Sequence, residues 1–357
     1  MFKVDTDGSA ISYHIPVSPF VPLQHDKIDV TTVNRLANFG MRFAMEHGWC
    51  YNRHSGDAHS KYASEAVEEG YVESGEDITV FFAGVDVELV GEFPKFDGKI
   101  TPASVFFLGQ FWISHVGKSS FGVYGKLFRY EAADEKDKVP IGVFKLTGVN
   151  VSKTTRRPVP IPKERVEILL ETMRRHQLNT SLPLVVRINV ADLLARSGLF
   201  TDTTCCKLVD KLPTHASVTP LTVAYRREFH IRQSDIDFNK HVNQMALIQL
   251  VINTFRSALL DQTTVFPRLL DVGVDAIIGD LLLRRLHIDY IRETPMDHQS
   301  MAVVLFFAEE SSRDAVIASA PGARGDQLVE LCFLAEGIPG DGSPSYIAAI
   351  GKLYFFC

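Results

Sequence analysis

The pattern of apolar residues predicts the same order of elements twice along the chain, a helix followed by long strands. In the first half, residues 30–49 carry apolar side chains at the spacing of one helix face. Stretches rich in Val and Phe, which favour strands, follow over 78–93, 104–116, 121–132 and 139–152. One helix followed by antiparallel strands predicts an α+β fold.

The second half of the chain repeats this order. A strand over 221–231 precedes an apolar helix over about 241–260, and further strands follow over 281–293, 300–311 and 326–338. We interpret the repeat as an internal duplication. The alternative is that two unrelated units share a common order of elements.

The two helix starts and the middle of the chain set the predicted boundaries. The stretch TVNRL (32–36) can be laid over HVNQM (241–245). Between the halves, three alternating prolines and an amphipathic helix over 163–177 indicate a connection. We therefore predict an N-terminal repeat over 1–153, an extended linker with a helix over 154–220, and a C-terminal repeat over 221–357.

Composition and motif content argue against several classes of protein. The net charge of −6 disfavours nucleic-acid binding, which needs a basic footprint. No apolar run reaches the ~18 residues of a membrane span. The five cysteines form no C-x-x-C pair, and H-E-x-x-H and G-x-S-x-G are absent, so we predict no metal and no cofactor. The N-terminus lacks a signal-peptide core, which predicts the cytoplasm, or an organelle lumen if a leader has been removed.

The stretch SDIDFNKHVNQM (234–245) carries Asp237, Asn239, His241 and Asn243 at alternating positions, directly before the apolar helix. A helix cap alone would explain any one of these side chains. In an extended segment, however, alternate residues share a face, so Asp237, Asn239 and His241 would point the same way. A His beside a carboxylate and an amide can transfer protons, and backbone N–H groups near 241–243 can hold an oxyanion at a helix N-terminus. The combination favours chemistry at a carbonyl.

The same stretch closely resembles the D-x-N-x-H-V-N-N signature of the plant and bacterial acyl-acyl-carrier-protein (acyl-ACP) thioesterases, with Gln244 in place of the last Asn. A second stretch, HIDYIRETPMDHQSM (287–301), resembles their D-Y-R-R-E-C strand. The family's catalytic glutamate then falls on Glu293, and the neighbouring cysteine falls on Thr294. This departure argues against a cysteine nucleophile and leaves a carboxylate-and-water mechanism intact. The resemblance implies a double hotdog, in which two long helices are each wrapped by a curved antiparallel sheet.

The resemblance also implies a role for each matched residue. Glu293, alone or with Asp237, would activate water, and Asn239 would orient the water or the carbonyl. His241 would stabilise or protonate the tetrahedral species. The first half lacks the His of this motif, so we expect it to hold the acyl chain and to have no active site of its own. The candidate substrate-binding residues are Asn243, Phe39, Phe43, Trp112, Arg284 and Arg285, with the two arginines facing acyl carrier protein or coenzyme A.

Three functions therefore stay open. The first is a thioesterase that releases fatty acid from acyl-ACP or acyl-CoA. The second is a hotdog-fold dehydratase or hydratase, since those enzymes also use a His and an acid at a helix start. The third is a non-catalytic hotdog-fold subunit of a larger assembly. Because the two repeats already supply the pairing of two hotdogs, we expect a monomer or a homodimer.

Overall fold

The structure, a computed structural model, divides into two compact units, Met1–Val186 and Arg187–Cys357. The helices are Val30–Glu46 (α1), Lys163–Arg175 (α2), Val190–Ser197 (α3) and Gln244–Leu260 (α4). The strands are Phe2–Val4 (β1), Ala10–Pro16 (β2), Ile78–Leu89 (β3), Val105–Val116 (β4), Ser120–Glu131 (β5), Val139–Ser152 (β6), Phe200–Asp202 (β7), Lys207–Leu208 (β8), Ala224–His230 (β9), Leu283–Tyr290 (β10), His298–Phe306 (β11), Leu328–Pro339 (β12) and Tyr346–Phe356 (β13). The structure describes residues 2–20, 29–50, 78–90, 101–131, 137–175, 182–202, 204, 207–209, 222–237, 240–269, 283–309, 311–312, 314, 316 and 328–356.

The first unit is an antiparallel sheet with α1 packed against one face. Its strands lie in the order β1-β2-β4-β5-β6-β3. A Cβ added to Gly40 of α1 would lie 3.4 Å from side-chain carbons of Ile15, Phe107 and Phe111. The helix therefore approaches β2 and β4 closely at this glycine.

The second unit repeats the arrangement of the first. Its strands lie in the order β9-β11-β12-β13-β10. Apart from β1 and the short pair β7 and β8, the first strand of each unit pairs with its third, the fourth and fifth follow, and the second lies beyond them. The ring of Phe255 on α4 stacks on that of Phe355 on β13, with centroids 5.2 Å apart. The predicted repeat of one helix and several antiparallel strands is confirmed.

Several local predictions were wrong. The segment 154–220 is shared between the two units, and α2 belongs to the first, where the Arg165 guanidinium lies 5.5 Å from the Phe121 ring centroid. The short elements β2 and α3 were missed because neither has a long periodic run of apolar residues. The helices are capped by Asp29 and by Asn243, so these two positions correspond. Thr32 therefore matches a position inside α4 and not His241.

Among the described residues, no helix is long and apolar enough to cross a membrane.

Candidate active site

The segment between β9 and α4 folds into a tight loop. The N–H of Asp237 donates to the carbonyl of His241 over 2.8 Å, and the N–H of Lys240 donates to the carbonyl of Asp237 over 3.0 Å. Lys240 has φ of 65°, in the left-handed region that non-glycine residues rarely adopt. The motif therefore turns where the sequence predicted an extended segment, so alternation does not place its side chains on one face. Asn239 lies outside the described residues.

The Asp237 side chain stabilises this loop by a hydrogen bond within it. Its Oδ1 accepts a hydrogen bond from the N–H of His241 over 3.2 Å. The loop closes further where Ile236 pairs with Val242 as an isolated bridge. Asp237 thus holds the main chain of His241 in place, and its part in chemistry stays a prediction.

A second loop, which follows β10, joins the motif loop through the main chain. The N–H of Val242 donates to the carbonyl of Thr294 over 2.8 Å, and the N–H of Met296 donates to the carbonyl of Lys240 over 2.9 Å. His241 pairs with Pro295 between these two bonds. The two segments that carry the family-like motifs are therefore tied together by backbone hydrogen bonds.

This junction brings His241 and Glu293 together. Nε2 of His241 lies 3.6 Å from Oε2 of Glu293, and the two side chains are 19% and 25% exposed. A water molecule could contact both groups, since a hydrogen bond to each would span ~2.8 Å. An imidazole and a carboxylate that share one water have the geometry for proton transfer to or from that water.

Tyr346 of β13 contacts the loop that follows β10. Its hydroxyl donates to the carbonyl of Glu293 over 3.0 Å, and the buried Thr294 side chain forms a hydrogen bond with the phenol. The Arg292 guanidinium lies 4.0 Å from the ring centroid. Burial raises the pKa of Tyr346. Sequence reasoning missed Tyr346, because only the strand order brings β13 beside this loop.

Asp235 was also missed, although it lies within the quoted motif. The Arg232 guanidinium donates to its two carboxylate oxygens over 3.1 and 2.9 Å, and its carbonyl accepts the N–H of Asn243 over 2.7 Å. Burial opposes ionisation of this carboxyl, but the hydrogen bonds and charge of Arg232 outweigh it, and the pKa is lowered. Asp235 therefore connects the start of the loop to the start of α4.

Asn243 is the N-cap of α4, with Oδ1 accepting the N–H of Met245 over 2.8 Å. The predicted oxyanion donors near 241–243 are taken. The N–H groups of His241, Val242 and Asn243 donate to Asp237, Thr294 and Asp235 in turn. In the first turn of α4 the N–H of Met245 is likewise used, by the cap itself, so an oxyanion site at the start of this helix stays a prediction.

Comparison with known proteins agrees with the fold and with the first motif. Residues 219–272 match the family model described as the acyl-ACP thioesterase C-terminal domain. The 12:0-ACP thioesterase from Umbellularia californica superposes with a TM-score of 0.55 at 13% identity, covering 98% of each chain. The acyl-ACP thioesterase from Bacteroides thetaiotaomicron superposes with a TM-score of 0.52 at 12% identity, again over 98% of each chain. The chain has the double-hotdog fold of these enzymes. No curated protein matches it by sequence.

The matched family model covers the loop and α4 but ends before Glu293. It confirms the resemblance drawn from the 234–245 motif. The double-hotdog fold likewise confirms the predicted fold class. The roles of individual residues rest on the geometry of the second hotdog.

Of the candidate substrate-binding residues in the first hotdog, Phe39 and Phe43 come together and Trp112 does not join them. Phe39 and Phe43 stack along α1 with centroids 6.2 Å apart, and Phe39 is 46% exposed. Trp112 is buried on the sheet face opposite that of Phe111, the residue packed on α1, because neighbouring strand residues alternate. Its Nε1 donates to Asp7 over 3.0 Å. Trp112 therefore lies on the other face of the sheet from α1, and its contact with a substrate stays a prediction.

Arg284 and Arg285 lie half-buried on β10. The Arg285 guanidinium lies 5.2 Å from the ring centroid of Tyr354. Their contact with a carrier stays a prediction. Among the described residues, no three His, Cys, Asp or Glu side chains are grouped to hold a metal ion.

Proposed function

We propose that this double-hotdog chain is a thioesterase that hydrolyses fatty acyl-ACP or acyl-CoA to free fatty acid. The single observation that carries the proposal is the 3.6 Å approach of His241 Nε2 to Glu293 Oε2. Main-chain hydrogen bonds between the two loops hold these two residues close to each other. The match of 219–272 to the acyl-ACP thioesterase family model supports the same reaction.

Glu293 acts as the general base in this mechanism. Its carboxylate takes a proton from water while the water oxygen attacks the thioester carbonyl carbon. The tetrahedral intermediate carries its negative charge on the former carbonyl oxygen. His241, together with the positive end of the α4 dipole, stabilises that oxygen.

Collapse of the intermediate breaks the carbon–sulfur bond. The thiolate of the carrier leaves and takes up a proton. This is the proton that Glu293 received in the first step, and His241 can pass it on to the sulfur. The products are a fatty acid and the free thiol, so no side chain becomes acylated. The Asp237 carboxylate holds His241 in place by accepting the main-chain N–H of that residue. Asn239 orients the water or the carbonyl.

The first hotdog holds the acyl chain. The half-exposed aromatic row of Phe39 and Phe43 is the apolar surface we assign to it. Burial of each methylene there contributes ~0.8 kcal/mol, so the depth of the site sets chain preference. We also propose a monomer or homodimer that works in the cytoplasm or an organelle lumen.

Purified protein assayed with a panel of acyl-ACP and acyl-CoA thioesters tests the function. Glu293→Gln and His241→Ala should each lower kcat by ~10²–10⁴, the range for lost general acid–base catalysis. Asp297→Asn is the matched control. It makes the same carboxylate-to-amide change in the same loop, at a side chain that is 83% exposed and bonded to His298, and it should leave kcat unchanged.

Other outcomes separate the alternatives. An acyl group trapped on a side chain would contradict direct attack by water. Conversion of 3-hydroxyacyl thioesters to enoyl thioesters without thiol release would favour the dehydratase. If the parent protein is inactive on every thioester, the remaining hypothesis is the non-catalytic subunit.

A further inference from the structure

We propose that Tyr346 is a positioning residue, which fixes the main chain of Glu293 so that its carboxylate meets His241. This inference rests on the thioesterase function proposed above. It concerns a residue outside both family-like motifs.

The loop that carries Glu293 is held by the start of β13. The N–H groups of Ile291 and Arg292 both donate to the carbonyl of Ala348, over 2.8 and 3.1 Å. Tyr346, two residues earlier on the same strand, adds the bond from its hydroxyl to the Glu293 carbonyl. The two bonds to Ala348 hold the main chain before Glu293, and the Tyr346 bond holds the peptide group directly after it.

The Tyr346 ring is itself held on several sides. The Arg292 guanidinium covers its face, and the His298 ring meets it edge-on with centroids 5.5 Å apart. Gly337 is its cross-strand partner, and a Cβ added there would lie 2.7 Å from Cζ and 2.8 Å from the hydroxyl oxygen. Only glycine leaves room for the ring in this position. Burial also raises the pKa of the phenol, so the hydroxyl keeps its proton and can donate.

The carboxylate of Glu293 depends on these main-chain bonds because it is not tightly enclosed. A quarter of the side chain is exposed, and its partner His241 lies on a different loop. A rotation of the Glu293 peptide would move the carboxylate relative to His241. A misplacement of about 1 Å can cost ~10²-fold in rate, so one lost hydrogen bond at this carbonyl should appear in kcat.

Tyr346→Phe removes the hydroxyl and keeps the ring. We expect kcat to fall about tenfold, the effect of one lost hydrogen bond, with KM and Tm close to those of the parent. Tyr354→Phe is the matched control. It removes a hydroxyl from the same strand, also from a ring covered by an arginine, and should leave kcat unchanged.

Two further variants test whether the effect passes through Glu293. Gly337→Ala keeps the hydroxyl but must displace it, so it should lower kcat as Tyr346→Phe does. On the Glu293→Gln background, adding Tyr346→Phe should change kcat less than twofold, since coupled residues are not additive.

The outcomes distinguish this inference from the proposed function. If the parent hydrolyses thioesters and Tyr346→Phe has the parent kcat, Tyr346 is not a positioning residue. The same conclusion follows if the loss persists in full on the Glu293→Gln background, or appears only in Tm. If the parent hydrolyses no thioester, the proposed function fails and this inference fails with it.

Discussion

Asp235 shows how a single residue holds the loop in front of α4. The side chain is buried, and its charge is met by the Arg232 guanidinium. Its carbonyl also accepts the N–H of Asn243, the cap of α4. An ionised carboxylate in a buried position is tolerated only when paired and hydrogen-bonded, and Asp235 is both.

Asp235→Asn should lower the free energy of unfolding by about 1–3 kcal/mol at pH 7, because hydrogen bonds to a charged group are lost. The pKa of Asp235 lies below the ordinary value of 3.8. A lowered folded-state pKa means that the contribution is fully present above pH 3.8 and disappears as the pH falls through the folded-state value. Denaturant titrations of parent and variant should therefore differ at neutral pH and converge in acid.

Asp341→Asn is the control for this experiment. The pKa of Asp341 is also lowered, through the backbone N–H of Ser343, but the residue is exposed. Its replacement should leave stability close to that of the parent. A gap between parent and Asp235→Asn that stays constant down to strongly acid pH would show that the charge of Asp235 contributes nothing.

At the scale of the secondary-structure elements, the central strands of the second hotdog pack closely at one glycine. Gly351 of β13 pairs with Ile288 on one side and Phe333 on the other. A Cβ at this position would collide with the carbonyl of His287 and the ring of Phe333. The neighbouring strands therefore pack at a distance that only glycine allows.

Gly351→Ala should lower the free energy of unfolding by at least the ~1–3 kcal/mol typical of overpacking, since a backbone carbonyl cannot rotate away as a side chain can. Gly340→Ala is the control, because the nearest atom to its added Cβ would be 3.6 Å away. Thermal unfolding of the two variants gives the comparison. Equal Tm values would mean that the sheet relaxes around the extra methyl group.

Much of this element structure could be predicted from sequence, because long periodic runs reveal their own secondary structure. The helices α1, α2 and α4 and most of the long strands were predicted within a few residues of their observed bounds. The turn at Lys240 was not, since a left-handed residue other than glycine leaves no signal in the sequence. The nearness of His241 and Glu293 came from resemblance to a family and not from spacing. Tyr346 could not be found, because a cross-strand neighbour is known only when the strand order is known.

Charge matters at the scale of the whole molecule, because the chain and an acyl carrier would both be acidic. The net charge is −6, so a carrier must be drawn to a local basic surface. Arg284 and Arg285 are the residues we assign to it.

Arg284→Glu combined with Arg285→Glu should raise KM for acyl-ACP steeply at low salt and little at high salt, because ions screen exposed charges. Lys207→Glu reverses a charge at an exposed position elsewhere in the second unit and should change KM less. Initial rates measured across a range of salt concentrations give the comparison. A parent KM that is independent of salt would rule out electrostatic docking.

The shared strand order of the two hotdogs has a consequence for how such a protein can change over time. In an assembly of identical subunits, every substitution appears in each copy and must be tolerated in all of them. Here the two hotdogs are different segments of one chain, so a substitution changes only one of them. The loop before α4 can therefore acquire Asp235, His241 and the left-handed Lys240 while the corresponding start of α1 keeps a plain Asp29 cap. Joining the copies in one gene removes the symmetry constraint, and the two hotdogs become free to diverge.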